Sequence, residues 1–420
     1  MTFVEAALGD LRRALEILQK HPTLADANFH TALVFGDPAR VEAALDRAPE
    51  IATAKGGPRH WEPLLYVCFS RFASRSSTRA AGLVETAQTL LARGANPDCS
   101  YVAKEWPDYP LSCLYGATGI NNNLALARVL LEAGANPNDG ESVYHSTEHA
   151  DLECLRLLLA HGASVPGTNA LKHMLDREDI EGTRLLLESG ADPNEVNGRG
   201  ETALHWAVWR GRSPEIITLL INYGVPLDAV QTDGRTAYAM ALQRGQQQTA
   251  ALLAASGAST ALSELDRFVA EAVRAAPDEL SRLLQQAPPN LKSLENAYLI
   301  PDLANSHGTD AVRVLLAAGL PVDARGEMGA TALHWACWKG YPDLAKLLLE
   351  AGASLMARDS THHGTPADWL THGLNNCGEG GDYAGVARLL LAAGAVLPPN
   401  EVPTGNTEVD AVLREYRLID

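Results

Sequence analysis

Two stretches decide how this chain is read: Gly200–Gly211, G-E-T-A-L-H-W-A-V-W-R-G, and Gly329–Gly340, G-A-T-A-L-H-W-A-C-W-K-G. They differ only at Glu201/Ala330, Val208/Cys337 and Arg210/Lys339, and the last of these exchanges one cation for another. Downstream of each, a leucine-rich segment ends in Gly-Ala or a close variant, at Gly224-Val225 and Gly352-Ala353. That marker recurs along the chain at Gly94, Gly134, Gly162, Gly190, Gly224, Gly257, Gly319, Gly352 and Gly394. Most successive markers are about 28 to 42 residues apart, a period that signals a repeat architecture. The widest gap, from Gly257 to Gly319, holds Ala287-Pro288 where a marker is missing.

Each unit has the same physical grammar. A short helix is followed by a tight turn and a second helix, such as Leu124–Glu132 or Pro342–Glu350. Glycine after the last leucines is suited to a helix C-cap, where a left-handed residue is needed. The steps Asn96-Pro97, Asn136-Pro137 and Asp192-Pro193 then turn the chain outward, because the residue before proline avoids the helix. One helix pair cannot bury its own apolar face, but a stack of neighbours can.

The two opening stretches resemble the ankyrin repeat, whose pattern is G-x-T-P-L-H-x-A-A-x-x-G, with Ala203 and Ala332 standing where the family usually has Pro. Gly234–Gly245 and Gly364–Gly373 resemble it more loosely. The resemblance implies an all-α fold, an ankyrin-type α-solenoid of about twelve helix-turn-helix repeats with short hairpin fingers. It also implies a concave face, lined by first helices and fingers, that binds partners. The expected organisation is about eight ankyrin-like repeats over 1–257, the first two degenerate. A degenerate repeat or internal cap follows at 258–290, then further repeats over 291–405 and a capping helix at 406–420.

Composition narrows the function. Of the 420 residues, 34 are Lys or Arg and 51 Asp or Glu, giving a net charge of −17. Nucleic acid and anionic membrane surfaces are therefore not expected as partners, since both need a basic face. The six cysteines form no Cys-x-x-Cys pair and read as small buried residues in a reducing compartment. The first residues lack the basic and apolar segments of a signal peptide, so the expected location is the cytoplasm. The excess of Arg over Lys, with abundant Ala, points to a high-GC bacterial source.

The motif residues divide by role. Thr202 with His205, and Thr331 with His334, occupy the family's structural positions and are expected to brace each unit through a Thr–His hydrogen bond. Trp206 and Trp335 are expected in the core. Trp209-Arg210 and Trp338-Lys339 end the first helices and are expected to face the groove. An indole beside a cation, twice, is the composition of a partner contact. The four intervening units would separate the two tryptophans by roughly 30–40 Å, too far for one small pocket.

Insertions add further candidates. Arg71, Arg75 and Arg79 form a basic island that is either an anion site or a solvated loop. The long finger Asp98–Pro110 holds Tyr101, Trp106 and Tyr109, and with Trp61 and Phe69 it makes an aromatic patch. That patch is either a partner contact or a finger folded back on its own array. The segment 374–381, near His362, His363, His372 and Cys377, matches no metal-ligand spacing, so neither metal nor cofactor is expected. The sequence reads as a monomeric scaffold that holds a protein or peptide in its groove. The alternative is an enzyme or small-molecule binder near repeats three to five, with His60, Tyr66, Tyr101, Tyr115, His145 and His149 as its polar members.

Overall fold

The computed structural model describes residues 2–74, 76–104, 107–276, 279–293, 296–377, 380–398 and 402–419. Among these, twenty-five α-helices run as twelve consecutive pairs and a closing helix, Thr407–Glu415. The described strands form one antiparallel hairpin, Ser100–Val102 with Pro110–Ser112. The chain is an all-α solenoid divided into two compact units. One comprises residues up to 197 with 215–225; the other comprises 198–214 and the chain from 226 onward. The segment 258–290, expected as a degenerate repeat or internal cap, lies inside the second unit. Its helix Glu264–Arg274 packs against Ala237–Gln243 and Thr309–Ala317 and contributes Phe268 and Val269 to the core.

The marker glycines explain the period. All nine have left-handed backbones, with φ between 80° and 99°. At each, the glycine N–H bonds the carbonyl three residues back, and the next N–H bonds the carbonyl five back. Gly352 with Leu349 (3.0 Å) and Ala353 with Leu348 (2.9 Å) are one instance. This closure satisfies carbonyls that a helix end would otherwise leave bare. For most of these glycines an added Cβ would meet open space, so the positive φ alone excludes other residues. The leucine four positions before the glycine, from Leu90 to Leu390, is fully buried in eight copies besides Leu348. One residue thus anchors the core through its side chain and the turn through its carbonyl.

Neighbouring repeats are also tied through polar groups on the finger side. The Asp or Asn four residues after a marker glycine accepts the N–H two residues after the next one. Asp98 takes Asn136 N–H at 2.6 Å and Asn138 takes Ser164 N–H at 2.7 Å. In the second unit Asp228 takes Ser259 N–H at 2.7 Å, and Asp323 takes Ser354 N–H at 3.0 Å.

The Thr–His brace takes the expected form. His334 Nδ1 accepts from Thr331 N–H (3.1 Å) and lies 2.8 Å from Thr331 Oγ1, while its Nε2–H donates to Gly364 O of the next repeat at 3.1 Å. His205 pairs with Thr202 Oγ1 in the same way at 2.9 Å, and its Nε2 faces the equivalent carbonyl of Arg235 without completing the bond. Both rings are buried, and burial lowers both pKa values, so both are neutral. A proton on His334 Nδ1 would point at the Thr331 N–H.

Replacing His334 by Ala removes a brace within one repeat and a tie to the next. We expect a loss of about 1–3 kcal/mol in urea unfolding. Because the native pKa of His334 is depressed, its contribution is complete above the unfolded value of about 6.5. It is lost as pH falls through the native value, so His334→Ala should flatten the acid limb of the stability curve.

Candidate partner-binding site

In the first unit the expected aromatic patch is present, but its rings pack on one another. Trp61 stacks on Tyr101 at 4.0 Å, Tyr101 meets Phe69 at 5.2 Å, Phe69 meets Tyr115 at 5.9 Å, and Tyr115 meets His145 at 4.8 Å. Trp61, Phe69, Tyr66 and Tyr115 are buried, while Tyr101 is half-buried on the β-hairpin. The long finger is thus folded back on its own array, the second of its two sequence readings. Trp61 and Phe69 are packing residues rather than exposed contacts, because a hairpin strand delivers Tyr101 onto them. Tyr109 is 59% exposed, and Trp106 lies outside the described residues.

Of the six polar candidates of the alternative reading, Tyr101, Tyr115 and His145 lie along this chain of rings. Tyr66 OH donates to Gly56 O at 2.8 Å and accepts from Arg59 N–H at 3.0 Å. Burial pushes Tyr115 up to about 12. His145 lies between Glu141 (3.2 Å) and Glu148 (3.0 Å). His149 Nε2 donates to Gly119 O at 2.7 Å, and His60 is exposed at a finger turn with φ 54°. The basic island is structural as well. Arg71 donates to Ile120 O at 3.0 Å, Arg79 donates to Phe35 O at 3.0 Å and covers the Phe35 ring, and Arg75 lies outside the described residues. Among the described residues no three His, Cys, Asp or Glu side chains converge as a metal site, and no helix is long and apolar enough to cross a membrane.

The second unit contains a cavity of about 370 Å³. Three fingers contribute to it, through Arg199 and Glu201, through Gln231 to Arg235, and through Arg325 to Glu327. Helices supply Trp209, Asp302 and Trp335, and the turn before the helix Leu299–Asn305 supplies Tyr298. The middle finger is closed by Gln231 N–H to Arg235 O (3.0 Å) and tied to its neighbour by Thr232 N–H to Arg199 O (2.9 Å).

Asp302 organises the cavity floor. Its carboxylate accepts from Arg244 (2.7 Å), from Trp209 Nε1–H (3.2 Å) and from Arg235 (3.4 Å). Arg235 is further held by Asp233 (2.9 Å) and Gln243 (3.1 Å), and its guanidinium lies 4.8 Å from the Tyr298 ring centre. Burial opposes the charge on Asp302, but Arg244 and Arg235 outweigh it and hold its carboxyl below the usual range. Burial likewise opposes the charge on Arg235, and Asp302, Tyr298 and Asp233 outweigh it.

The motif tryptophans therefore have fixed roles. Trp209 is half-buried, bonded to Asp302 and covered by Arg210 at 4.5 Å. Trp206, expected in the core, is only half-buried and stacks on Trp209 at 5.2 Å, also beneath Arg210. Trp338 is half-buried against Trp369 (5.8 Å) and His372 (5.3 Å), next to half-buried Lys339. Trp209 and Trp335, one from each motif, line the same cavity, whereas Trp338 is not among its lining residues. Asp302 itself escaped notice because its repeat lacks the Thr-x-Leu-His motif. A lone acid inside the apolar run Ala297–Ala304 was the available signal, since such residues are buried only when paired.

Asp302→Ala would leave Arg235 and Arg244 buried without their shared counter-ion. We expect a loss of about 3–5 kcal/mol, measured by chemical denaturation. The depressed native pKa of Asp302 makes its contribution complete above the unfolded value of about 3.9. That contribution is lost as pH falls through the native value.

A family model for ankyrin repeats matches residues 171–263 and 271–359, running through most of the segment that lacks the sequence motif. The chain is 32% identical over 160 residues to E3 ubiquitin-protein ligase KEG of Arabidopsis thaliana, which covers 38% of this chain and 8% of that one. It is 37% identical over 75 residues to protein phosphatase 1 regulatory subunit 27 of Homo sapiens, covering 18% of this chain and 43% of that one. The Mus musculus protein of the same name is 38% identical over 66 residues, covering 16% and 39%. The chain thus spans less than half the length of each of these relatives. The left-handed turns, the Thr–His braces and the family match together identify residues 171–263 and 271–359 as ankyrin repeats.

Proposed function

We propose that the chain is a protein-binding scaffold, and that the cavity in its second unit is where a protein or peptide partner makes contact. The observation that carries this reading is the convergence of three fingers and two motif tryptophans on one opening of about 370 Å³. Tryptophan and arginine at a concave site are the side chains that dominate interface energies. The volume lies near the lower end of the range for ligand pockets, suited to one inserted side chain rather than to a large cofactor. A relative named as a regulatory subunit of a protein phosphatase is consistent with a role exercised through other proteins.

Thr232 offers a test that spares the buried charges. It is exposed at the tip of the middle finger and lines the cavity. Thr232→Trp should obstruct the opening while changing stability by no more than about 0.5 kcal/mol, as for other surface substitutions. A protein captured by the wild-type chain should be bound at least tenfold more weakly by this variant, with an unchanged melting temperature. Equal binding by both would remove the cavity as the contact site.

A further inference from the structure

The charged groups lining the cavity are unequally satisfied. Arg235 is held by Asp233 and Asp302. Arg325 donates to the carbonyls of Gly329 and Arg358. Arg199 and Glu201 have partners of their own, and Asp302 accepts three donors. Glu327 differs from all of these: among the described residues it has neither a hydrogen-bonded nor an ion-paired side-chain partner. Burial raises its pKa and outweighs the opposing pull of Arg199 and Arg210, so its charge is under-compensated.

Glu327 is also held in place before any ligand arrives. It begins the short turn Glu327–Gly329, in which Met328 has φ 55°. Met328 O accepts Ser360 N–H (2.7 Å) and Ser360 Oγ–H (2.8 Å) from the next finger, and Gly326 N–H bonds Ala330 O at 2.9 Å. The backbone that carries the carboxylate is thus held by hydrogen bonds, which lowers the ordering cost of binding.

We propose that the cavity receives the guanidinium of a partner's arginine side chain, with Glu327 as its counter-ion and the indoles of Trp209 and Trp335 as its walls. This rests on the reading of the cavity as a partner contact and specifies the partner's chemistry. An anion is disfavoured, because each lining arginine is already engaged and the site holds Glu327, Glu201 and Asp302 in a chain of net charge −17. A guanidinium suits the site better than an ammonium. It is planar, weakly hydrated and stacks on indoles, and its five donors match acceptors such as Glu327, Asn305 and Thr232.

The test uses the full chain and N-acetyl-arginine amide, read by tryptophan fluorescence, since two of the seven tryptophans line the cavity. Wild type should show a saturable change at millimolar probe. Glu327→Gln should weaken it at least tenfold at an unchanged melting temperature, and Thr232→Trp should abolish it. N-acetyl-lysine amide should bind more weakly, and inorganic phosphate should leave the signal unmoved. The proposal is overturned by no saturable change in wild type, by equal binding to Glu327→Gln, by equal binding of the lysine amide, or by saturation with phosphate. The assay needs no partner protein, so the two readings fail separately. Arginine binding by a chain that captures no protein would count against the scaffold alone. Protein capture without an arginine response would count against this inference alone.

Discussion

Each helix pair in this chain carries an apolar face that it cannot cover by itself, and the rest of the structure follows from that constraint. The leucine four residues before each marker glycine is fully buried, which is worth roughly 1.5–3 kcal/mol per side chain. That gain requires the neighbouring layers to be in place. The left-handed glycine then ends the second helix at the same point in nine of the twelve pairs. The leucine cannot shift along the helix without breaking the closure that its own carbonyl makes. Registration between layers is sharpened by directional groups, the Asp and Asn acceptors on the fingers and the neutral histidine that reaches the next repeat.

Burial of charge in the second unit obeys a different rule. A lone carboxylate as enclosed as Asp302 would be prohibitively costly, and here it is shared by two guanidiniums and an indole N–H. Replacing such a cluster by apolar residues is often neutral or stabilising, so its presence is weak evidence for a stabilising purpose. It does fix the orientation of Trp209 and Arg235, and those two side chains shape the cavity. The network is best understood as positioning a wall, with the under-compensated Glu327 left at the opening.

The first unit uses its aromatics in the opposite way. Rings from the hairpin and from successive first helices stack edge to face, the geometry that aromatic quadrupoles favour. This packing consumes the surface that would otherwise bind. An aromatic-rich insertion is therefore ambiguous in sequence, because the same residues build a contact surface or close over themselves depending on where a strand delivers them.

The repeat, its period, the left-handed turns and the Thr–His brace are all readable from residue order alone. Each of these depends on residues within about one repeat of one another, so Gly352, Leu348 and His334 were legible in place. The sequence also placed Trp209 and Arg210 at the end of a first helix, where both are half-buried. Only the tertiary structure decided that Trp61 and Phe69 are packed, that Trp206 lies under Arg210, and that Asp302 bonds Trp209 across ninety-three residues. Those outcomes depend on how layers curve and which finger meets which helix. A local pattern carries no record of that geometry, because the energies that set it arise between residues far apart in the chain.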